Sequence, residues 1–177
     1  MIYYVRHGES QANADSVFAG DRFPAPLTIK GIQQAELAGQ EIVVDRLQID
    51  QIISSPLERA LQTAQIIAQK IDYDPQRITI DPRLQEYDVG DMAGKTMHGV
   101  TPALLVGAPN AEDPKAFQER VLAALRSAQE LPGNTLLVSH GGVRDVIEAT
   151  LRHIDPALFY KLSDHPNAQL ERLDAFS

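Results

Sequence analysis

Residues Asn134–Gly142 read NTLLVSHGG, and this stretch decides the fold. Its apolar run is nearly continuous instead of alternating, which is the pattern of a strand covered on both faces. Such a strand belongs to a sheet with helices on each side, so strands and helices should alternate along the flanking chain. The run ends in a histidine and two glycines. That ending is awkward for a core strand and well suited to a backbone that approaches a ligand closely.

Working outward, the alternation is present on both sides. Gly142–His153 reads as the helix that follows, with Val143, Val146, Ile147 and Leu151 inward, and Ala168–Asp174 as a final edge strand. Before it, Pro114–Glu130 is helical, with Phe117, Val121, Leu122, Leu125 and Ala128 inward. Residues 87–114 are interrupted by Gly90, Gly94, Gly99, Gly107 and Pro109, and predict a loop-rich cap with one short helix around Pro102–Val106. Arg77–Ile80 reads as a strand. In Ser55-Pro56-Leu57-Glu58, serine at the cap, proline at the first helical position and glutamate at the third predict a capping box. The helix it opens has Leu57, Ala60, Leu61, Ala64, Ile67, Ala68 and Ile71 on one face. Gln51–Ser54 and Ile2–Val5 read as strands, and Thr28–Leu47 as a helix capped by Thr28, with Ile32, Ala35, Leu37, Ala38, Ile42 and Leu47 as its apolar stripe. The expected fold is α/β: a three-layer α/β/α sandwich with a mostly parallel central sheet and a small loop-rich cap, in one domain spanning residues 1–177.

Composition narrows the function classes. At 177 residues and 44% apolar content the chain can bury its own core. No apolar run reaches the roughly 18 residues of a membrane span, and Met1 leads directly into Ile2–Val5 without a signal-peptide pattern, so a cytoplasmic location is expected. Cysteine is absent, which removes disulfides, thiolate nucleophiles and cysteine-ligated metals. A net charge of −8 argues against nucleic acid or anionic lipid as a partner. Any anion site must therefore be local, made by a few arginines.

Three strand ends carry such residues: Arg6-His7-Gly8, the helix start with Arg59, and His140-Gly141-Gly142. In open α/β sheets ligands bind beyond the carboxyl ends of the strands. If these strands are neighbours, Arg6, His7, Arg59 and His140 converge, and Arg59, in the first turn of its helix, leans back toward the strand edge. Two guanidinium forks, helix N-termini and the close approach allowed by Gly8 and Gly141 suit a tetrahedral dianion, a phosphate. A neutral imidazole at the centre could attack phosphorus, with the charge of the transition state held by Arg6, Arg59 and His140 and with no need for a metal or other cofactor. A carboxyl shielded from solvent would protonate the leaving oxygen. Glu86 is the leading candidate, and Asp88 and Asp91 are its rivals.

Each feature alone has a plainer reading. An Arg-His pair at a strand end is common surface decoration, and Arg59 could pair with Glu58 or Glu36. Ser54 and Ser55 read as cap and turn residues, since no Gly-x-Ser-x-Gly elbow surrounds them. His98, His153 and His165 lack metal-ligand spacing and read as surface or packing residues. The joint occurrence in order outweighs these readings.

The same residues resemble the histidine phosphatase superfamily, also called phosphoglycerate mutase-like. Arg6-His7-Gly8 with Glu9 and Asn13 matches its first motif. Pro26-Leu27-Thr28 with Gly31 and Gln34-Ala35 matches the next, SSPLERALQTA from Ser54 to Ala64 its second arginine motif, LQEYDVG its acid motif and VSHGG its second histidine motif. The resemblance implies that His7 is phosphorylated, that Glu86 donates the proton and later activates water, and that Arg6, Asn13, Arg59, His140 and the backbone at Gly141 hold phosphate. Ala12, Met92 and Ala93 depart from the family pattern on the substrate side and bear on specificity. The expected function is hydrolysis of small phosphomonoesters. The alternatives are mutase-type phosphoryl transfer, a protein phosphohistidine phosphatase and a phospho-ligand-binding pseudoenzyme. The short cap, with Lys95 as its lysine, favours the first. Asp21, Arg22 and residues 87–110 are expected to shape the leaving-group pocket.

Overall fold

The structure, a computed structural model, describes residues 1–20, 23–162 and 165–173. In chain order the elements are β1 (Ile2–Arg6), α1 (Gln11–Ala14), α2 (Ile29–Val44), β2 (Gln51–Ser54), α3 (Glu58–Lys70), β3 (Thr79–Ile80), α4 (Pro102–Val106), α5 (Pro114–Gln129), β4 (Thr135–Ser139), α6 (Gly141–Leu151) and β5 (Leu170–Leu173).

Every residue of β4 is buried, as its unbroken apolar run requires of a strand covered on both faces. The sheet order is β3-β2-β4-β1-β5, with parallel pairing throughout except for β5, which runs antiparallel to β1. Alternate side chains divide between two cores. Val5, Ile52, Leu136 and Val138 pack with Ala38, Ile42, Ala64 and Ile67 from α2 and α3. Ile2, Tyr4, Ile53 and Leu137 pack with Phe117, Val121, Val146 and Ile147 from α5 and α6. Each fully buried Leu, Ile, Val or Phe contributes about 1.5–3 kcal/mol to holding these layers together. The architecture is the α/β/α sandwich expected from the sequence.

Register is what positions the site. Arg6 lies opposite Ser139, and Ser54 opposite Val138, so β1, β4 and β2 end level with one another. His7 and His140 follow directly from neighbouring strands, and the turn from β2 into α3 brings up Ser55 and Arg59.

Several expectations are corrected. The predicted capping box at Ser55 does not form. Leu57 is the cap residue, with extended backbone (φ −69°, ψ 134°) and no side-chain cap bond, and the helix begins at Glu58. Leu37 is 64% exposed and Leu151 46%. On α2 the inward stripe is Gly31, Ala35, Ala38, Gly39 and Ile42, and Leu37 falls off it by helical geometry. Arg77–Ile80 is only partly strand: a 3₁₀ turn at Pro75–Arg77 precedes the two-residue β3. The first strand runs one residue further, to Arg6, and the helix after β4 begins one residue earlier, at Gly141. The final strand is Leu170–Leu173, and Asp174 lies outside the described residues. The short helix α1, capped by Ser10 through a reciprocal bond with Asn13, has too few residues to show a period.

The 87–114 segment forms the expected cap, with a 3₁₀ turn at Gly90–Met92 and α4. It is laced to the loop after α1: Phe18 N–H donates to Lys95 O at 2.8 Å and Gly94 N–H to Phe18 O at 2.7 Å. Arg120 on α5 gathers its base. Its Nη1 donates to the carbonyls of Arg83 and Gln85, both at 2.8 Å, its Nη2 to that of Glu86 at 3.0 Å, and its Nε to Glu112 Oε1 at 2.7 Å.

Candidate active site

Beyond the level ends of β1, β4 and β2 lies a cavity of about 270 Å³. Arg6, His7, Asn13, Arg59, Glu86 and Gly141 all line it, and His140 is fully buried with its ring centroid 5.2 Å from that of His7. The residues singled out in the sequence are thus brought together. Asp88 and Asp91 are not among the lining residues, whereas Glu86 is.

His7 is 3% exposed, and its Nδ1 lies 2.7 Å from the carbonyl of Gly8. A carbonyl only accepts, so Nδ1 carries the proton and Nε2 keeps its lone pair. Arg59 Nε donates to that Nε2 at 3.2 Å. Burial, then the guanidinium charges of Arg59 and Arg6, hold the His7 pKa well below the ordinary histidine value. The ring is a neutral imidazole whose free nitrogen sits among cations. The loop carrying it is rigid. Gly8 N–H donates to Thr63 Oγ1 at 3.0 Å, Thr63 donates to Arg59 O at 2.7 Å, and Asn167 Nδ2 donates to His7 O at 2.8 Å. A Cβ on Gly8 would overlap the carbonyl of Gly31, so glycine is what lets β1 exit against the start of α2.

Arg59 is 4% exposed and donates from Nη2 to Gly20 O at 2.7 Å. It faces His7 rather than Glu58 or Glu36. Arg6 Nη1 is steadied by His165 O at 2.7 Å, while its Nε is buried without a protein partner. Gly141 packs against that guanidinium. Asn13 Oδ1 accepts from Ser10 N–H and Oγ, both at 3.1 Å, which commits its oxygen to the cap. The side chain lines the cavity with an amide that can donate. His140 has its pKa held well below the ordinary value by burial first, then by Arg59, His7 and Arg6.

Glu86 is positioned by backbone. Its Oε1 accepts from Tyr87 N–H at 2.9 Å, and its Oε2 from Gly142 N–H, in the first turn of α6, at 3.2 Å. Burial raises its pKa, and this outweighs the lowering by those N–H groups and by Arg59 and Arg6. A carboxyl whose pKa is raised by burial could serve as a proton donor.

The rest of the cavity wall adds residues from the 87–110 segment and others that the sequence did not single out for function. Phe18, Val89, Leu105 and Phe159 form an apolar side, and Asp145, Tyr160, Lys161 and His165 a polar one. His165, read from the sequence as a surface or packing residue, is 6% exposed, with Nε2 3.3 Å from Asp145 Oδ1. Val89 and Leu105 fall within residues 87–110, expected to shape the pocket, whereas Tyr160, Lys161, His165 and Asn167, which ties down His7, sit in irregular chain where no sequence signal points to them. Asp21 and Arg22 lie outside the described residues. Among the described residues no group of three or more His, Cys, Asp or Glu side chains could hold a metal ion, and no helix is long and apolar enough to cross a membrane.

A neutral imidazole, two guanidiniums and a raised-pKa carboxyl at the strand ends of an α/β/α sandwich define a class of proteins built to handle phosphoryl groups. Residues 2–176 match the histidine phosphatase superfamily (branch 1), and the chain belongs to that superfamily. It is 37% identical over 188 aligned residues to a probable phosphoglycerate mutase GpmB of Salmonella arizonae, covering 98% of this chain and 84% of the relative. Among solved structures it is similar to Bacillus stearothermophilus YhfR, with 27% identity, TM-score 0.79 and coverage of 96% of this chain and 88% of that one. It is also similar to the alpha-ribazole phosphatase of Shigella flexneri, with 29% identity, TM-score 0.69 and coverage of 90% and 83%.

Proposed function

We propose that this protein is a metal-independent phosphatase of small phosphomonoesters, acting through a phosphohistidine on His7 with Glu86 as proton donor and residues 1–177 as one catalytic domain. The observation that carries the reading is the 2.7 Å contact of His7 Nδ1 with Gly8 O, which fixes the proton there and leaves on Nε2 a lone pair that accepts from Arg59 Nε.

In this reading the substrate phosphate settles against Arg6, Arg59, Asn13, His140 and the backbone at Gly141. The Nε2 lone pair attacks phosphorus, the bond to the ester oxygen breaks, and the departing oxygen takes the proton of Glu86. The Glu86 carboxylate then accepts a proton from water as that water attacks phosphorus. The His7–phosphorus bond breaks, and inorganic phosphate leaves with His7 again neutral. The cationic cup meets the charge that spreads over the phosphoryl oxygens.

A mutase would recapture a second phosphorylated acid, and the GpmB relative keeps that alternative in view. Against it, beyond Arg6 and Arg59 the only Lys or Arg among the described lining residues is Lys161, and Lys95 of the cap does not line the cavity. A neutral alcohol fits the mixed apolar and polar wall better than a second anionic group does. Phosphate release from a panel of sugar phosphates, nucleotides and phosphoglycerates, run beside interconversion of 2- and 3-phosphoglycerate, separates the two. Hydrolysis of at least one monoester should outpace interconversion, and the reverse order would reject the phosphatase reading.

A further inference from the structure

Ser55 did not become a helix cap, and its hydroxyl has another use. Ser55 Oγ lies 2.8 Å from His140 Nε2, and both residues are 0% exposed. The same oxygen accepts the Leu57 N–H at 3.3 Å. Ser55 N–H is fixed to Val138 O at 3.0 Å, and Tyr4 Oη donates to His140 O at 2.6 Å, so both backbones are held.

The proton count then selects one tautomer. A hydroxyl has a single hydrogen to give, and a neutral imidazole one donor and one acceptor nitrogen. If His140 donated from Nε2, the Ser55 hydrogen would have no acceptor in a sealed environment, and the Nδ1 lone pair would be left buried without a donor. If Ser55 donates to Nε2, its oxygen still takes the Leu57 N–H, and the ring proton sits on Nδ1. That Nδ1 is buried and has no protein partner, as is true of Arg6 Nε. Buried donors are rarely left unpaired. The cationic charges felt by the ring come chiefly from Arg59 and Arg6, both of the cup. Two orphaned donors at neighbouring strand ends call for one shared acceptor, an oxyanion.

We propose that Ser55 is a positioning residue that locks His140 as the Nδ1–H tautomer, so that this N–H is offered to a phosphoryl oxygen bound beside His7. The proposal rests on the phosphatase reading for its acceptor, but the tautomer itself does not.

The test uses the full chain labelled with ¹⁵N-histidine, with the ring nitrogens of His140 assigned by long-range proton–nitrogen correlation. The wild-type spectrum should place the proton on Nδ1. Ser55→Ala should move it wholly or partly to Nε2, weaken vanadate binding and lower kcat/KM by about 10–100-fold, by analogy with the loss of a partner that orients a metal-bound imidazole. A wild-type proton on Nε2 overturns the proposal, and this measurement stands even if S55A fails to fold. An S55A protein with the wild-type tautomer, or with unchanged vanadate affinity and turnover, also overturns it. A wild-type protein inert on every phosphomonoester rejects the phosphatase reading instead, because the spectrum needs no turnover.

Discussion

Arg59 Nε donates its hydrogen bond to His7 Nε2, the one ring nitrogen that keeps a lone pair, across 3.2 Å of buried space. A single cation thus holds the nitrogen proposed as nucleophile in place and lowers its basicity. When a phosphoryl group enters, the same N–H can pass from nitrogen to a phosphoryl oxygen, so the attacking lone pair is released as the charge to be stabilised arrives.

Removing that cation should act on both. Arg59→Ala is expected to lower kcat by about 10²–10³-fold, the range for loss of one donor to a charged transition state. It should also raise the His7 pKa, since the Arg59 charge is among the forces holding it down, although burial will keep it below an exposed histidine. An NMR titration of His7 in wild type and variant checks this, and an unshifted His7 would contradict the assignment.

The pH profile follows from two opposed shifts. The proposed mechanism requires neutral His7, whose pKa lies below the ordinary 6.5, and protonated Glu86, whose pKa lies above the ordinary 4.5. Turnover should therefore rise with pH as His7 loses its proton and fall as pH climbs through the raised Glu86 value. Glu86→Gln should lower kcat/KM on monoesters by about 10²–10⁴-fold and abolish the falling limb while the rising limb stays. A falling limb that persists in E86Q would assign it to another acid.

Gly142 offers a subtler perturbation. Its N–H holds Glu86 Oε2, and a Cβ there would overlap Glu86 Oε1. Gly142→Ala should displace the carboxyl and reproduce much of the E86Q loss in kcat, at least tenfold, while vanadate affinity stays within about threefold, since the phosphate donors are untouched. Equal losses in both would mean that the substitution disturbs the whole cup.

Much of this arrangement was legible in the chain because it is local or periodic. The unbroken run of β4 could only be a strand covered twice, and the polar residues at strand ends fell where an α/β sheet places ligands. Ser55 was misread because the helix begins later than the motif suggests, at Glu58: its oxygen takes the Leu57 N–H and its hydroxyl reaches a histidine 85 residues away. His165, Tyr160, Lys161 and Asn167 were invisible for a related reason. They lie in irregular chain, and only the folded sheet decides that the first three line the cavity and that Asn167 holds the His7 carbonyl. Leu37 shows the converse error, an apolar residue counted into a stripe from which helical geometry excludes it.

The central claim is that the phosphoryl group passes to one nitrogen of one histidine. Acid-labile ³²P should be trapped by rapid quench of a turning-over monoester, under alkaline work-up, and mapped by peptide analysis. The account predicts label on Nε2 of His7, present in wild type and absent from His7→Ala. Label on any other residue, or a wild-type enzyme that turns over rapidly with no covalent phosphate detectable at any quench time, would contradict it.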